Sequence, residues 1–359
     1  MSRLLTALAL ALGLSACGRG EPPAATRSQP EVAEPPPPPA VGVYVTNEIS
    51  GDLTLINGAT AMPVATIKLG KRPRGIAVSP DRAVLYVALT GSPAAGPGVD
   101  EKTLPPPDRS ADGIGVVDIR QRRLIKVLPS GTDPEQVVVS PDGTRVFVAN
   151  EDAAQLSVVD VASGRIVETF KVGEEPEGVS LHPAGNLVYV TSEGDGEVFV
   201  IDLGAHKVTK SIKVGPRPRS VAFTPDGSRA YVPAENGATL SVVDTSRLAV
   251  VRTIQLGEGM RPMGTLMAPD GKHLYVTTGR SKMMLIVDTA INKVVGSVEA
   301  GARPWGIATS SDGRTLYTAN GPSNDVSVID VETRHVTTKI PVGTGPWGIV
   351  FVEQRTPAQ

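Results

Sequence analysis

Gly301-Ala-Arg-Pro-Trp-Gly-Ile-Ala-Thr-Ser-Ser-Asp-Gly-Arg-Thr-Leu-Tyr-Thr-Ala-Asn320, followed by Asp325-Val-Ser-Val-Ile-Asp330, is the clearest copy of a motif written seven times in this chain. Its proline returns at Pro73, Pro134, Pro176, Pro218, Pro262, Pro304 and Pro346. Consecutive copies lie 42 to 44 residues apart, except for one interval of 61 between Pro73 and Pro134. Each copy holds four short runs rich in Val, Ile and Thr, bounded by Gly, Pro, Asn or Asp. In one copy they are Gly178–Leu181, Val188–Thr191, Glu197–Asp202 and Val208–Val214, with a tight turn at His182-Pro-Ala-Gly185. Such runs read as strands joined by hairpins. A four-strand unit at this period reads as one propeller blade.

The ends of the repeat predict how the ring closes. Val43-Tyr-Val-Thr-Asn47 is a second-strand signal with no first strand before it, and Pro346–Val352 is a first strand with nothing after it. The C-terminal strand is therefore expected to pair into the N-terminal blade, which removes the open edge. The expected fold is all-β: a seven-bladed β-propeller over residues 41–353, with a short tail at 354–359.

Residues 1–16 read as a lipoprotein signal peptide. An early Arg3 precedes the apolar run Leu4 to Leu14, and Leu14-Ser15-Ala16-Cys17 fits a lipobox whose cysteine is lipidated. Residues 17–40 turn to Pro, Glu and Ala and end in Pro35–Pro39, the composition of an extended tether. The expected location is the periplasmic side of the cell envelope, held by a lipid anchor, with the outer membrane favoured by Gly18. Cys17 is the sole cysteine, so the folded body has neither a disulfide nor a thiolate metal site. Lys+Arg 35 against Asp+Glu 37 gives a net charge of −2, which offers nucleic acid no bulk attraction.

Tyr44-Val-Thr-Asn47, with repeat endings such as Val326-Ser-Val-Ile-Asp330, resembles the YVTN family of bacterial β-propellers along residues 43 to 352. The inserted stretch Thr90 to Asp118, with its Pro105-Pro-Pro-Asp108 segment, resembles the subgroup of propellers associated with PQQ-dependent catabolism. That subgroup is defined by its setting, and its own activity is unassigned. The resemblance implies a lipid-anchored, non-enzymatic binding or accessory protein. Its partner would be a periplasmic quinoprotein dehydrogenase, a cytochrome c or a small organic ligand. It implies no cofactor held by this chain. The alternative is an enzyme of lactonase-like or dehydrogenase-subunit-like type, using carboxylates at the propeller mouth.

What repeats seven times holds a fold, so function is sought in the position that varies. The residue after each recurring proline reads Trp347, Arg74, Glu135, Glu177, Arg219, Met263, Trp305 around the ring. That series is expected to line the mouth of the channel. Arg72, Arg217, Arg261 and Arg303 add guanidiniums beside the same prolines. Glu48, Glu151, Glu193 and Glu235, with Asn47, Asn150 and Asn320, are expected to rim that face from the next loop. Aromatic surface beside arginine forks suits an anionic or planar organic ligand. The competing reading is a rim network in which Arg and Glu simply pair across blades. The insertion at 91–112 is expected over the same face, as a lid or docking arm.

No metal centre is expected. His182, His206, His273 and His335 fall in turns on the far face, and no Cys-x-x-Cys-His or phosphate-binding loop is present. Asp100, Glu101, Asp108 and Asp112 are acidic but lack calcium-loop spacing. The aspartate ending each third strand (Asp118, Asp160, Asp202, Asp244, Asp288, Asp330) is expected to accept from the next turn's amide.

Overall fold

The computed structural model describes residues 35–94 and 103–354. The signal segment, Cys17 with most of the tether, the Asp100 and Glu101 candidates and the C-terminal tail at 355–359 lie outside the described residues. Seven four-stranded antiparallel sheets follow one another along the chain. Blade one is Val41–Asn47, Asp52–Asn57 and Met62–Lys68, closed on its inner edge by Pro346–Glu353. In blades two to seven the strand opening on the recurring proline is innermost, and inner strands of neighbouring blades pack on one another.

Closure is a full antiparallel ladder. Gly42 faces Val352, Val43 faces Phe351, Tyr44 faces Val350 and Val45 faces Ile349. The Gln354 amide then donates to the Ala40 carbonyl at 2.7 Å. The strand limits read from sequence hold within one or two residues. The fourth blade, for example, folds as Pro176–Leu181, Leu187–Ser192, Glu197–Asp202 and Lys207–Lys213.

Seven apolar clusters hold the ring, one between each pair of adjacent blades. The centre of every second strand carries an aromatic residue (Tyr44, Tyr86, Phe147, Tyr189, Tyr231, Tyr275, Tyr317), each 4% exposed or less. Alternation along these strands packs one blade face on each neighbour, while the outermost strands, such as Met62–Lys68, stay largely exposed. The aspartates that end the third strands act as expected. Asp118, Asp160, Asp202, Asp244, Asp288 and Asp330 each accept from an amide of the following turn.

The glycine two residues after the proline sets how closely inner strands approach at the mouth. A Cβ at Gly306 would lie 2.4 Å from the Trp347 carbonyl of the next blade, and at Gly348 2.5 Å from that of Arg74. Gly178 and Gly264 stand in the same relation to Arg219 and Trp305. The Gly306→Ala substitution is therefore expected to push blades seven and one apart. Overpacking of this kind costs about 2 kcal/mol, read as a lower urea midpoint with an unchanged m-value.

Blade five departs from the pattern. Its inner strand shrinks to Ala222–Phe223, with one isolated bridge between Pro218 and Ala234. Pro216 and Pro218 each lack an amide donor to the ladder there.

Candidate functional site

In six blades the residue after the recurring proline occupies a bulge. Pro73 pairs with Leu89 and Ile76 with Val87, so three steps on the inner strand match two on its partner. The same offset recurs at Pro134, Pro176, Pro262, Pro304 and Pro346. A bulge takes its residue out of the ladder and re-aims the side chain. Arg74, Glu177, Arg219, Met263, Trp305 and Trp347 all line one cavity of about 850 Å³ at the mouth. Glu135 is fully buried behind them.

A second ring stands on the first. The residue following each second strand is Glu48, Thr90, Glu151, Glu193, Glu235, Gly279 or Gly321. In six blades its amide donates to the carbonyl of the residue before the proline: Glu48 to Gly345 at 2.8 Å, Thr90 to Arg72 at 3.4 Å, Glu151 to Asp133 at 2.8 Å, Glu193 to Glu175 at 3.0 Å, Glu235 to Arg217 at 2.9 Å and Gly279 to Arg261 at 2.8 Å. Of the residues presenting that carbonyl, Arg72, Asp133, Glu175 and Arg217 adopt positive φ, between 33° and 61°, as does Arg303 at the same position of blade seven. Five side-chain-bearing residues in that region mark a rim where backbone strain is held by its surroundings.

The charged arc is a single network. Arg74 pairs with the buried Glu135, lies 3.6 Å from Glu177 and 3.8 Å from Glu48, and stacks over Trp347 at 5.0 Å. Arg219 pairs with Glu193, reaches Glu177 at 3.4 Å and Glu235 at 2.7 Å, and stacks over Trp305 at 4.9 Å. Arg217 adds a 2.7 Å contact to Glu193, and Arg72 holds Glu48 at 2.5 Å while donating to the Ser92 and Pro93 carbonyls of the insertion. The rings of Trp305 and Trp347 sit 5.2 Å apart, tilted by 31°.

Buried acids exceed what two guanidiniums can neutralise. Burial raises Glu135 well above the usual carboxylate range, and the charges of Glu177, Glu151 and Asp133 add to this against Arg74. Burial likewise raises Glu193, even with Arg219 beside it. Glu48 goes the other way: burial opposes ionisation, yet Arg74 and Arg72 hold it below its ordinary value. Glu151 lines the cavity, and burial together with Glu177 and Asp133 pushes it from 4.5 up to about 7.

That shift carries a sign. The folded protein keeps a proton on Glu151 that the unfolded chain has released, so stability falls as pH rises from about 4.5 through about 7. At 1.36 kcal/mol per unit the loss is about 3 kcal/mol. Urea midpoints at pH 5 and pH 8 should differ less in a Glu151→Gln protein than in the wild type. Parallel pH dependences would refute the assignment.

The structure gathers most of the residues expected at the mouth. Arg72, Arg74, Glu151, Glu177, Arg217, Arg219, Met263, Arg303, Trp305 and Trp347 line the cavity, with Glu135 and Glu193 buried just beneath. The rim network is real, and it leaves an open cavity above it. Arg261 is different: it bonds Asn236 and does not line the cavity. Asn47, Asn150 and Asn320 are fully buried, contrary to the rim position expected for them. They bond Thr54, Ser157 and Ser327 inside their own blades at 2.9 to 3.0 Å.

The insertion covers the mouth as expected: Ser92–Ala94 and Leu104–Pro107 line the same cavity, with Arg109 pairing to Asp112 and Asp152. Asp108 is held by Lys71 rather than turned to a shared ion site with Asp112. Sequence reading missed Asp133 and Arg280. Asp133 lies with Glu135 and Glu151 in a group whose carboxylate oxygens fall within 4.8 Å of one another.

Residues 173–339 match the family model described as a lactonase, 7-bladed beta-propeller, and residues 98–185 match the model described as a YNCE-like beta-propeller. Together they place the chain among bacterial β-propeller families, and neither reaches the PQQ-associated subgroup named from sequence. No curated protein sequence matches the chain. Among solved structures, hydrazine synthase of Kuenenia stuttgartiensis is 22% identical, with a TM-score of 0.69, over 85% of this chain and 99% of that one. A candidate 6-phosphogluconolactonase from Bacteroides uniformis is 19% identical (TM-score 0.72, covering 87% of this chain and 99% of that chain). Another, from Bacteroides fragilis, is 18% identical (TM-score 0.70, covering 87% and 98%). At these identities the likeness is one of fold. The lactonase match overturns the expectation of a non-enzymatic accessory protein, and the enzyme alternative fits it better.

Proposed function

We propose that this propeller is a hydrolase that opens lactones or related cyclic esters at the mouth of its channel. One observation carries the reading. Glu151 is a carboxyl at the wall of a substrate-sized cavity, where burial and the neighbouring Glu177 and Asp133 push it up to about 7. A general base works best with its pKa close to the working pH. The lactonase-type match spans Glu177, Glu193, Arg219, Met263 and Trp305 and supports the same reading.

The chemistry balances with residues of this chain. Ionised Glu151 takes a proton from a water molecule as its oxygen bonds to the lactone carbonyl carbon. The negative charge that develops on the carbonyl oxygen lies in the field of the mouth arginines. The ring C–O bond then breaks, and the proton held by Glu151 passes to the departing oxygen. The product is a hydroxy acid and the enzyme is restored. Glu135, fully buried, lies with Glu151 and Asp133 in one cluster of carboxyl groups within 4.8 Å of one another.

The anchor at Cys17 and a periplasmic location belong to this proposal as expectations. So does the setting beside quinoprotein alcohol oxidation suggested by the insertion. Oxidation of a cyclic hemiacetal yields a lactone, which makes that setting chemically consistent with the activity.

The test is hydrolysis of a panel of five- and six-membered lactones by the full chain, followed by pH titration. Turnover that rises with an apparent pKa near 7 and is lost in Glu151→Gln supports the reading. A chain that opens none of them, or a Glu151→Gln protein as fast as the wild type, refutes it.

A further inference from the structure

The two rings at the mouth are unequal, and the inequality has a direction. Blades one, three, four and five place Glu48, Glu151, Glu193 and Glu235 in the second ring, and three of these sit against Arg72, Arg217 or Arg219. Blades six and seven place glycine there, Gly279 and Gly321. Those blades still carry guanidiniums, Arg280 and Arg303, and both line the cavity. Among the described residues, no carboxylate lies within 4 Å of either one, and Arg303 has no hydrogen-bond partner.

Arg303 is half-buried, fixed at a φ of 51° and packed over the Trp305 ring at 5.4 Å. Burial, with repulsion from Arg219, disfavours its charge, Glu235 and Glu48 favour it, and Arg280 adds a smaller repulsion. A guanidinium held in such a place gains most from an added anion. Space for one exists. A Cβ at Gly321 would meet nothing nearer than the Pro346 carbonyl at 3.6 Å, so the side chain absent there leaves open volume.

We propose that Arg303, which packs against Gly279 and over Trp305, and Arg280, on the arc of the mouth where Gly279 and Gly321 carry no side chain, form a subsite for an oxyanion group of the ligand, a carboxylate or a phosphate. The glycines of blades six and seven withhold the counter-carboxylates that blades one, four and five supply. The anion thus takes the place of a missing glutamate. Resting on the lactone reading, this makes the substrate a lactone that bears an anionic group. Binding at the subsite does not itself depend on turnover.

Trp305 and Trp347 are the only tryptophans in the chain, and both line this cavity. Intrinsic fluorescence therefore reads the subsite without any knowledge of the substrate. The intact protein is titrated with inorganic phosphate, with gluconate and with neutral glucose, at constant ionic strength. Saturable change with phosphate or gluconate and none with glucose is expected, and the tighter of the two identifies the group. Arg303→Met should weaken it at least tenfold. Gly321→Glu, which restores the absent carboxylate while keeping both arginines, should weaken it likewise with an unchanged melting temperature. Equal affinity in both variants, or no saturable response in the wild type, overturns the subsite. Anion binding by a protein that opens no lactone would retain the subsite and reject the hydrolase. Lactone turnover insensitive to both substitutions would do the reverse.

Discussion

Replacing Glu151 by glutamine is expected to lower kcat for lactone opening by about 10²- to 10⁴-fold, the range associated with a positioned general base, while KM stays nearly unchanged. The amide is isosteric, so the mouth geometry survives. What disappears is the capacity to take a proton from water. The limb of the pH profile governed by Glu151, near pH 7 in the wild type, should vanish with it. A drop in rate with the pH limb intact would move the base to another carboxyl. Glu177 is then the first to examine, since it lines the same wall and one of its oxygens has no hydrogen-bond partner.

Arg74→Met should be the most damaging single change to stability, at about 3–5 kcal/mol near neutral pH, the cost of leaving buried charges without their partner. Arg74 is 8% exposed and faces Glu135 at 0%, Glu177 at 3% and the half-buried Glu48. Without it, Glu48 loses the foremost of the three cations (Arg74, Arg72 and Arg303) that hold it ionised, and Glu177 keeps only Arg219. Two further measurements separate this electrostatic account from simple loss of packing on Trp347. The deficit should shrink at pH 5, where the orphaned carboxyls take up protons. It should also be partly recovered by adding Glu48→Gln. A deficit that is constant with pH and indifferent to Glu48 would point to packing.

The ring was legible because its chemistry is repeated. Four short β-branched runs per unit, a proline at each inner strand and an aspartate at each third-strand end specify a blade, and seven copies exhaust the chain between Val41 and Glu353. Closure was legible because two half-blades remained at the ends. The mouth was legible only in part. The position after the proline could be named as variable, and all seven of its residues converge on the cavity or just beneath it. The proton imbalance among them was not visible, because it depends on how many carboxyls reach one guanidinium in three dimensions.

Asn47, Asn150 and Asn320 were misplaced because a polar residue at a strand end looks like a rim residue. The signal that could have found them is the Thr or Ser seven residues later (Thr54, Ser157, Ser327), the buried partner inside each blade. Gly279 and Gly321 were overlooked for a related reason. An absent side chain says nothing until its six counterparts have been set around the same circle.

The strand that closes the ring also finishes the mouth. Pro346–Glu353 supplies the inner edge of blade one, and with it Trp347, whose ring stacks on Trp305 and lies beneath Arg74. Arg74 comes from the second blade, so this contact joins segments 273 positions apart in the chain. Until that last strand docks, the aromatic floor of the mouth is incomplete. An unfinished chain therefore carries an exposed inner edge and no working mouth, and competence arrives in one step with the last strand.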